Sequence, residues 1–212
     1  MRPIFISGIG TGIGKTVVAA VLTEALRADY WKPVQAGYET GTDSTLINSL
    51  ISNAETIIHP ETYKLQMAAS PHIAARNENL RIDLNRIEKE FHQMDKKRPL
   101  VIEGAGGLMV PLNENEFVID LIKKLDVVLV LVSRNYLGSI NHSLMSADIC
   151  RSYGVVPAGW VFNDNYLDYE KEIVKWSGYP ALFSISVLEV ISPQTISKAA
   201  GPIDLNYLYS LL

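Results

Sequence analysis

The sequence predicts an α/β protein in three layers, with a mostly parallel sheet that is flanked by helices on both faces. The first observation behind this prediction is that short apolar runs alternate with segments of helical periodicity along the chain. The second is that one run, residues 126–133, is apolar throughout its interior, which is typical of a strand buried on both faces. The third is a glycine-rich loop between the first apolar run and the first helical segment. Strands that are separated by helices pair in parallel through right-handed crossovers.

The apolar runs and helical segments follow one another in a regular order. The chain starts with the short apolar run PIFIS, and the helical segment after the glycine-rich loop carries valine and leucine at spacings that suit packing. The predicted strands are residues 3–7, 30–34, 100–103, 126–133, 155–162 and 181–187. The predicted helices are residues 15–27, 42–52, 84–94 and 139–153. Residues 57–83 are the least regular, and we interpret them as loops and short helices over the edge of the sheet.

Length and composition limit the classes of protein that fit. With 212 residues and no linker or repeat, a single domain over residues 1–212 is the economical interpretation. The net charge of -4 leaves no basic surface for nucleic acid. One cysteine, Cys150, excludes an intramolecular disulfide and suits a reducing cytoplasm. No apolar run reaches the ~18 residues of a membrane span, and the N-terminal run is expected to be a strand rather than a signal peptide.

The segment GIGTGIGKT at residues 8–16 stands between the first predicted strand and the first predicted helix. Glycines in this position let backbone N–H groups point at phosphate oxygens, and the helix start adds its positive dipole end. Lys15 is expected to reach the β- and γ-phosphates of a nucleotide, and Thr16 to bind Mg²⁺. A glycine-rich turn without a ligand is the alternative, but GKT after a first strand favours a P-loop NTPase. The candidate nucleotide-binding residues here are Gly10, Thr11, Gly12, Ile13, Gly14, Lys15, Thr16 and Val17.

Three charged residues outside the loop are further candidates. Lys32 lies in KPV at the end of the second predicted strand, where open α/β sheets bind their ligands, although taken alone it is better explained as a surface lysine. Asp43 lies at a predicted helix start, where a role in capping and a role in metal binding are equally good explanations. Glu103 begins EGAGG after an apolar strand. A tight turn is the alternative there, but three glycines in four residues favour a carboxylate that binds Mg²⁺ beside a closely approaching ligand.

Three more segments carry weaker signals. A lone histidine such as His72, in SPH, is more often structural than catalytic. The segment LGSINH at residues 137–142 opens a predicted helix whose free N–H groups suit a carboxylate, with a simple capped helix start as the alternative. Asn163 ends a strand, and its amide can both donate and accept, which suits the edge of adenine; a turn residue is the alternative.

Taken together in this order, GIGTGIGKT, KPV, Asp43, SPH, EGAGG, LGSINH and GWVFN closely resemble the dethiobiotin synthetase family over residues 8–163. The resemblance implies that Lys15 and Lys32 are catalytic and bind phosphate and carbamate. It implies that Thr16, Asp43 and Glu103 surround Mg²⁺ and that Asn163 contacts adenine. The substrate residues that it implies are Lys32, Ala36, Gly106, Leu137, Gly138, Ser139 and Asn141.

The resemblance also implies a reaction and an assembly. An amine of diaminopelargonic acid captures CO₂ as a carbamate, the carbamate attacks the γ-phosphate of ATP, and the second amine closes a cyclic urea with release of phosphate. ATP is the co-substrate and Mg²⁺ the cofactor. The family implies a cytoplasmic homodimer in which residues 137–141 of one subunit receive the substrate carboxylate of the other.

Departures from the family pattern leave alternatives open. Ile9, Gly10 and Gly12 replace side chains that can touch the nucleotide, Ala36 removes a hydroxyl near the reacting centre, and the usual proline is missing from residues 184–187. Nucleotide selectivity is therefore left open. The alternatives are a related ATP-dependent amidoligase or CO₂-using synthetase, a partitioning-type ATPase switch and a binding protein without activity. The early loop lysine of partitioning ATPases is missing at residues 9–11.

Overall fold

Seven parallel strands form the central sheet of the computed structural model, which describes residues 2–95, 97–164 and 166–211. The sheet order is β4-β2-β6-β1-β7-β8-β9, and a separate parallel pair is formed by β3 and β5. The strands are β1 Ile4–Gly8, β2 Asp29–Trp31, β3 Val34–Ala36, β4 Ile58–His59, β5 Tyr63–Leu65, β6 Leu100–Gly107, β7 Val128–Ser133, β8 Gly159–Asn163 and β9 Ala181–Ile185. The predicted domain over residues 1–212 stays a prediction, and four of its residues lie outside the described part of the chain: Met1, Lys96, Asn165 and Leu212.

Helices cover both faces of this sheet. They are α1 Lys15–Leu26, α2 Asp43–Leu50, α3 Pro71–Asn77, α4 Leu84–Gln93, α5 Val118–Leu125, α6 Ser139–Tyr153, α7 Glu170–Ser177, α8 Pro193–Ala200 and α9 Leu205–Leu211. One apolar core joins α1, α2, α8 and α9 to one face, and a second core joins α3 to α7 to the other face. This arrangement confirms the predicted three-layer α/β fold.

Alternation along the central strands assigns side chains to the two cores. In β1, Ile4 and Ile6 pack toward α1 while Phe5 packs toward the opposite face, as the two-residue period of a strand requires. In β6, Val101 lies on the same face as Ile6, and Ile6 is the register partner of Glu103. Glu103 therefore lies two residues beyond Val101 on the α1 face, next to the start of α1.

The prediction of one strand over residues 30–34 is wrong. β2 ends at Trp31, and β3 begins at Val34 in the small separate sheet, so that Lys32 and Pro33 join two sheets. Proline has no N–H to donate to a strand ladder, which explains a break at this position. The carbonyl of Pro33 accepts the N–H of Tyr63, so the chain turns away to pair with β5.

The irregular segment at residues 57–83 contains a short helix, as predicted, and two short strands that its pattern does not predict. It holds the edge strand β4, the strand β5 and the helix α3. Strands of two or three residues are too short to show a period, which is why the sequence did not reveal them. Among the described residues, none of the helices is both long and apolar enough to cross a membrane.

Candidate functional site

The loop between β1 and α1 lies at the carboxyl edge of the sheet, beside the ends of β6 and β7. Gly14 precedes α1 with a left-handed backbone, at φ 88°, so the chain can turn into the helix at this point. A Cβ on Gly14 would lie 1.7 Å from Asn163 Nδ2, at the end of β8. This amide donates to the carbonyl of Ile13 at 2.9 Å. Glycine at position 14 therefore serves both the turn and the close approach of β8 to the loop.

Lys15 lies over the loop that precedes it. Its ammonium donates to the carbonyl of Gly10 at 2.7 Å, and the residue is 7% exposed. Burial is the main reason why the pKa of Lys15 is lowered to about 8; Glu103 and Asp43 act to raise this pKa, and the positive charge of Lys32 acts to lower it. An ammonium that is poorly hydrated and donates to a backbone carbonyl is well suited to bind an anion such as a phosphate.

Three oxygen-bearing side chains meet at the start of α1. The Thr16 hydroxyl lies 2.9 Å from Glu103 Oε1 and 3.1 Å from Asp43 Oδ1. Two carboxylates and a hydroxyl form the hard oxygen set that Mg²⁺ prefers, with waters and substrate phosphates completing its shell. The residues that the sequence selected for Mg²⁺ therefore come together here and fit the ion by their chemistry.

Two sets of hydrogen bonds hold Asp43 beside Thr16 and Glu103. The first is a capping box in which the Thr42 hydroxyl accepts the N–H of Thr45, which fixes the start of α2. The second is the side-chain amide of Gln35. Its oxygen Oε1 accepts the backbone N–H of Asp43 at 3.2 Å, and its nitrogen Nε2 donates to the backbone carbonyl of Gly37. Gln35 thus ties the end of β3 to the first turn of α2.

Lys32 bridges the two carboxylates. Its Nζ lies 2.6 Å from Asp43 Oδ2 and 3.0 Å from Glu103 Oε1, and its side chain is 6% exposed. Burial acts to lower the pKa of Lys32, but the attraction of Glu103 and Asp43 outweighs it and raises the pKa above its ordinary value. Lys32 is therefore a buried cation next to the loop lysine, and the interpretation as a surface lysine is wrong.

A cavity of about 740 Å³ opens onto these groups. Its charged floor is made by Lys15, Lys32, Asp43 and Glu103. Its opposite wall is mostly apolar, and it is lined by Val34, Ala36, Ala68, Ala69, Pro71 and Val110. Such a cavity suits a ligand that has one strongly charged end and a hydrocarbon body.

Comparisons with known proteins identify the family of the chain. A family model described as an AAA domain matches residues 2–195. An ATP-dependent dethiobiotin synthetase BioD of Cytophaga hutchinsonii is 45% identical over 201 residues, which cover 94% of this chain and 96% of that protein. A protein of the same name from Afipia carboxidovorans is 42% identical over 195 residues, covering 92% and 91%. The chain belongs to the ATP-dependent dethiobiotin synthetase family.

A solved structure supports the fold assignment. The septum site-determining protein MinD of Pyrococcus horikoshii, complexed with Mg-ADP, matches with a TM-score of 0.62 at 15% identity, over 97% of this chain and 96% of that one. At this identity the likeness shows the fold alone. It confirms the P-loop NTPase architecture that residues 8–16 predict.

Four of the substrate residues predicted from the dethiobiotin synthetase family lie away from the large cavity, at the start of α6. Leu137 is 89% exposed, and Gly138 precedes the helix with a left-handed backbone at φ 102°. The amide of Asn141 contacts the sulfur of Met145 at 3.4 Å. Ser139 is fully buried, its hydroxyl accepts the N–H of Tyr136, and its own N–H donates to the carbonyl of Tyr136. Within the subunit, Ser139 therefore secures the start of the helix.

The remaining predicted residues fall into two groups. Ala36 and Gly106 line the large cavity, as do Thr11, Gly12 and Gly14. Gly10 contributes its carbonyl to Lys15, Ile13 its carbonyl to Asn163, and Val17 follows Thr16 on the first turn of α1. The nucleotide-binding role of each residue stays a prediction.

The family pattern missed several residues that the structure adds to the site. Tyr30 donates its hydroxyl to Glu103 Oε2 at 2.8 Å, and Gln35 holds Asp43 as described above. A second cavity of about 370 Å³ brings Arg134 and Asn135 beside residues 11–13 of the loop. Charged and polar residues after an apolar strand are a usable sequence signal for Arg134 and Asn135. Tyr30 carries no such signal, because it lies within a strand next to a tryptophan.

Proposed function

We propose that the chain closes the cyclic urea of dethiobiotin from diaminopelargonic acid and CO₂, with ATP as the co-substrate. The observation that carries the proposal is Lys32, a buried cation outside the phosphate loop that faces the same cavity as Lys15. Phosphate binding by the loop accounts for Lys15 in many ATPases, but it does not account for a second buried lysine. A reaction that joins two anions, a carbamate and a triphosphate, does account for it.

The proposed steps follow the charges in the cavity. One amine nitrogen of the diamine bonds to the carbon of CO₂ and loses a proton, which gives a carbamate. A carbamate oxygen then attacks the γ-phosphorus of ATP, and ADP leaves. The second amine attacks the carbonyl carbon of this carbamic–phosphoric anhydride, phosphate leaves, and the ring closes. Lys15 and Lys32 lower the repulsion between the anions, so the protein contributes mainly positioning and charge neutralisation.

Thr16, Asp43 and Glu103 are the residues that would hold Mg²⁺. The ion would supply positive charge at the β- and γ-phosphates. Asp43 remains 28% exposed on the cavity side, whereas Glu103 is 1% exposed. In the proposed site, Asp43 is thus the accessible carboxylate and Glu103 is the buried one.

The nucleoside is proposed to lie toward β8 and β9. Asn163 ends β8 and is the register partner of Ile185 at the end of β9. A cavity of about 570 Å³ follows β9, lined by residues 184–190 and by the side of α8. The base and ribose need such a space once the phosphates occupy the loop. Asn163 lies between the loop and this cavity, which supports its assignment to the adenine.

The carboxylate end of the diamine is proposed to bind a second subunit. The start of α6 offers N–H groups and a positive helix end, which suit a carboxylate. These groups do not line the cavity that holds the charged floor of the same chain. A cytoplasmic homodimer in which α6 of one subunit faces the cavity of the other would bring both ends of the diamine into contact with protein.

An assay of product release tests the proposed function. The protein is incubated with ATP, Mg²⁺, diaminopelargonic acid and bicarbonate, and each component is omitted in turn. We expect ADP and dethiobiotin in equal amounts with the full mixture, and neither product when the diamine is left out. ADP formation that ignores the diamine would support an ATPase switch instead. ADP formation that requires a different amine or carboxylate would support a related ligase.

A further inference from the structure

Tyr30 is a buried residue whose only polar side-chain atom faces the proposed metal site. The residue is fully buried in β2, and its hydroxyl donates to Glu103 Oε2 at 2.8 Å. β2 is paired with β6, with Tyr30 in register with Val101, two residues before Glu103 on the same face. The phenol ring therefore extends along the sheet toward the carboxylate.

The two oxygens of Glu103 serve different neighbours. Oε1 lies 2.9 Å from the Thr16 hydroxyl and 3.0 Å from Lys32 Nζ, on the side of the cavity. Oε2 accepts the hydroxyl of Tyr30. Because a buried carboxylate must be satisfied by hydrogen bonds or charges, each of these contacts offsets part of the cost of its burial.

The plane of this carboxylate needs an external support. The last torsion of a glutamate side chain is broad and nearly two-fold, so its rotamer preference does not fix the plane. Thr16 and Lys32 both act on Oε1, so that the group could still rotate about it. The hydrogen bond from Tyr30 to Oε2 supplies the second fixed point, which keeps Oε1 directed toward Thr16.

We propose that Tyr30 is a positioning residue, which acts through Glu103 and sets how strongly the site binds Mg²⁺ together with nucleotide. This inference rests on the proposed function, because it assumes that Glu103 binds the metal. The ring of Tyr30 packs in the core with α1 and its hydroxyl does not line the cavity. Removal of the hydroxyl should therefore weaken metal binding and leave metal-free nucleotide binding unchanged.

The test compares two tyrosine variants. Tyr30→Phe removes the hydroxyl that acts on Glu103, and Tyr63→Phe removes a buried hydroxyl that instead accepts the N–H of Asp83. Calorimetry gives the dissociation constant of ADP without and with Mg²⁺. The first constant divided by the second is the magnesium gain, which is large when Mg²⁺ strengthens ADP binding. Loss of a residue that orients a metal ligand typically costs about 10–100-fold in metal affinity. We expect the magnesium gain of Tyr30→Phe to be about 10–100-fold lower than that of the wild type. The magnesium gain of Tyr63→Phe should match the wild type.

A double variant distinguishes a positioning role of Tyr30 from a general loss of structure. In Glu103→Gln, where the carboxylate is already lost, adding Tyr30→Phe should change the magnesium gain no further, because both changes act on one group. If Tyr30→Phe does not fold, Tyr30→4-fluorophenylalanine fills the space of the hydroxyl without a donor, and the same loss is expected.

The outcomes also distinguish this inference from the proposed function. A wild-type protein without any magnesium gain would overturn the proposed metal site, and the inference with it. A clear gain in the wild type that Tyr30→Phe retains in full would overturn this inference alone, and Tyr30 would then only fill the core.

Discussion

At the phosphate end of the proposed site the charged groups lie mostly inside the protein, whereas at the carboxylate end three of the candidate residues, Leu137, Gly138 and Asn141, lie on its surface. Glu103 is 1% exposed and has contacts with Thr16, Lys32 and Tyr30. Leu137, at the other end, is 89% exposed. A single chain thus builds the first end, where Lys32 is already paired with Asp43 and Glu103.

This difference means that the two ends of the proposed site have different structural requirements. Buried charges need a fixed environment, because each unpaired one costs several kcal/mol or more, so the phosphate end has to be formed before a ligand arrives. An exposed leucine beside a helix start has no such requirement. It is instead expected to gain by contact with a second copy of the chain, which would also supply the carboxylate-binding N–H groups.

Replacement of Lys32 should produce the largest effect, at the phosphate end. Lys32→Gln keeps much of the side chain and removes the charge, and we expect kcat to fall by ~10²–10³ while ADP affinity changes little, because a preorganised charge acts mainly on the transition state. Because Glu103 also loses a charge partner, the melting temperature should drop as well. Kinetics are measured well below the melt, with the exposed Lys89→Gln as the control. Near-normal turnover would remove Lys32 from the reaction.

Replacement of Leu137 should produce the next largest effect, at the carboxylate end. Leu137→Asp places a charge in the proposed subunit interface. Burial of a leucine contributes ~1.5–3 kcal/mol, so its loss should weaken dimer affinity by about tenfold or more. We expect monomers by sedimentation and a KM for the diamine that rises ~10-fold with an unchanged melt of the subunit. Val156→Asp is the control. Val156 is 82% exposed, but it precedes β8 and so lies at the amino ends of the strands, whereas Leu137 follows β7 at their carboxyl ends. A fully active Leu137→Asp monomer would contradict the shared site.

Replacement of Asn163 should have a smaller effect, confined to nucleotide binding. Asn163→Ala removes the hydrogen bond to Ile13 and the proposed contact with the base. Loss of neutral hydrogen bonds of ~0.5–1.5 kcal/mol predicts a rise of about 2–10-fold in the KM for ATP with kcat retained at saturation. Steady-state kinetics check this result. A defect in kcat alone would instead connect Asn163 to the reaction or to folding.

The smallest effect is expected at Cys150, a buried residue near the end of α6. Burial raises the pKa of Cys150 to about 12, so at pH 8 only ~10⁻⁴ of the thiol is ionised. We expect no alkylation by iodoacetamide over hours in the native protein and rapid reaction in denaturant, followed by mass spectrometry. Fast alkylation of the native protein would show that the end of α6 opens enough to expose Cys150.

The loop residues and Glu103 were predictable because each signal is local. GKT after a strand specifies both a turn and a helix start, and Glu103 follows an apolar run directly. β3 and β5 were not predictable in this way, since three-residue strands have no period and their pairing depends on where Pro33 turns the chain. The role of Tyr30 was not predictable either, since it depends on the register of β2 against β6.

By itself, the sequence predicted the three-layer fold, the phosphate loop with Lys15 and Thr16, and the carboxylate Glu103 from local chemistry, whereas Lys32 and Asp43 were selected only through the resemblance to the dethiobiotin synthetase family. The tertiary structure alone decided that Lys32 is buried between Asp43 and Glu103, that Tyr30 donates to the Glu103 carboxylate and that Gln35 accepts the backbone N–H of Asp43. Hydrogen bonds and ion pairs depend on distances of about 3 Å between residues far apart in the chain. Such distances are fixed only when parallel strands come into register and bring their ends to one edge of the sheet.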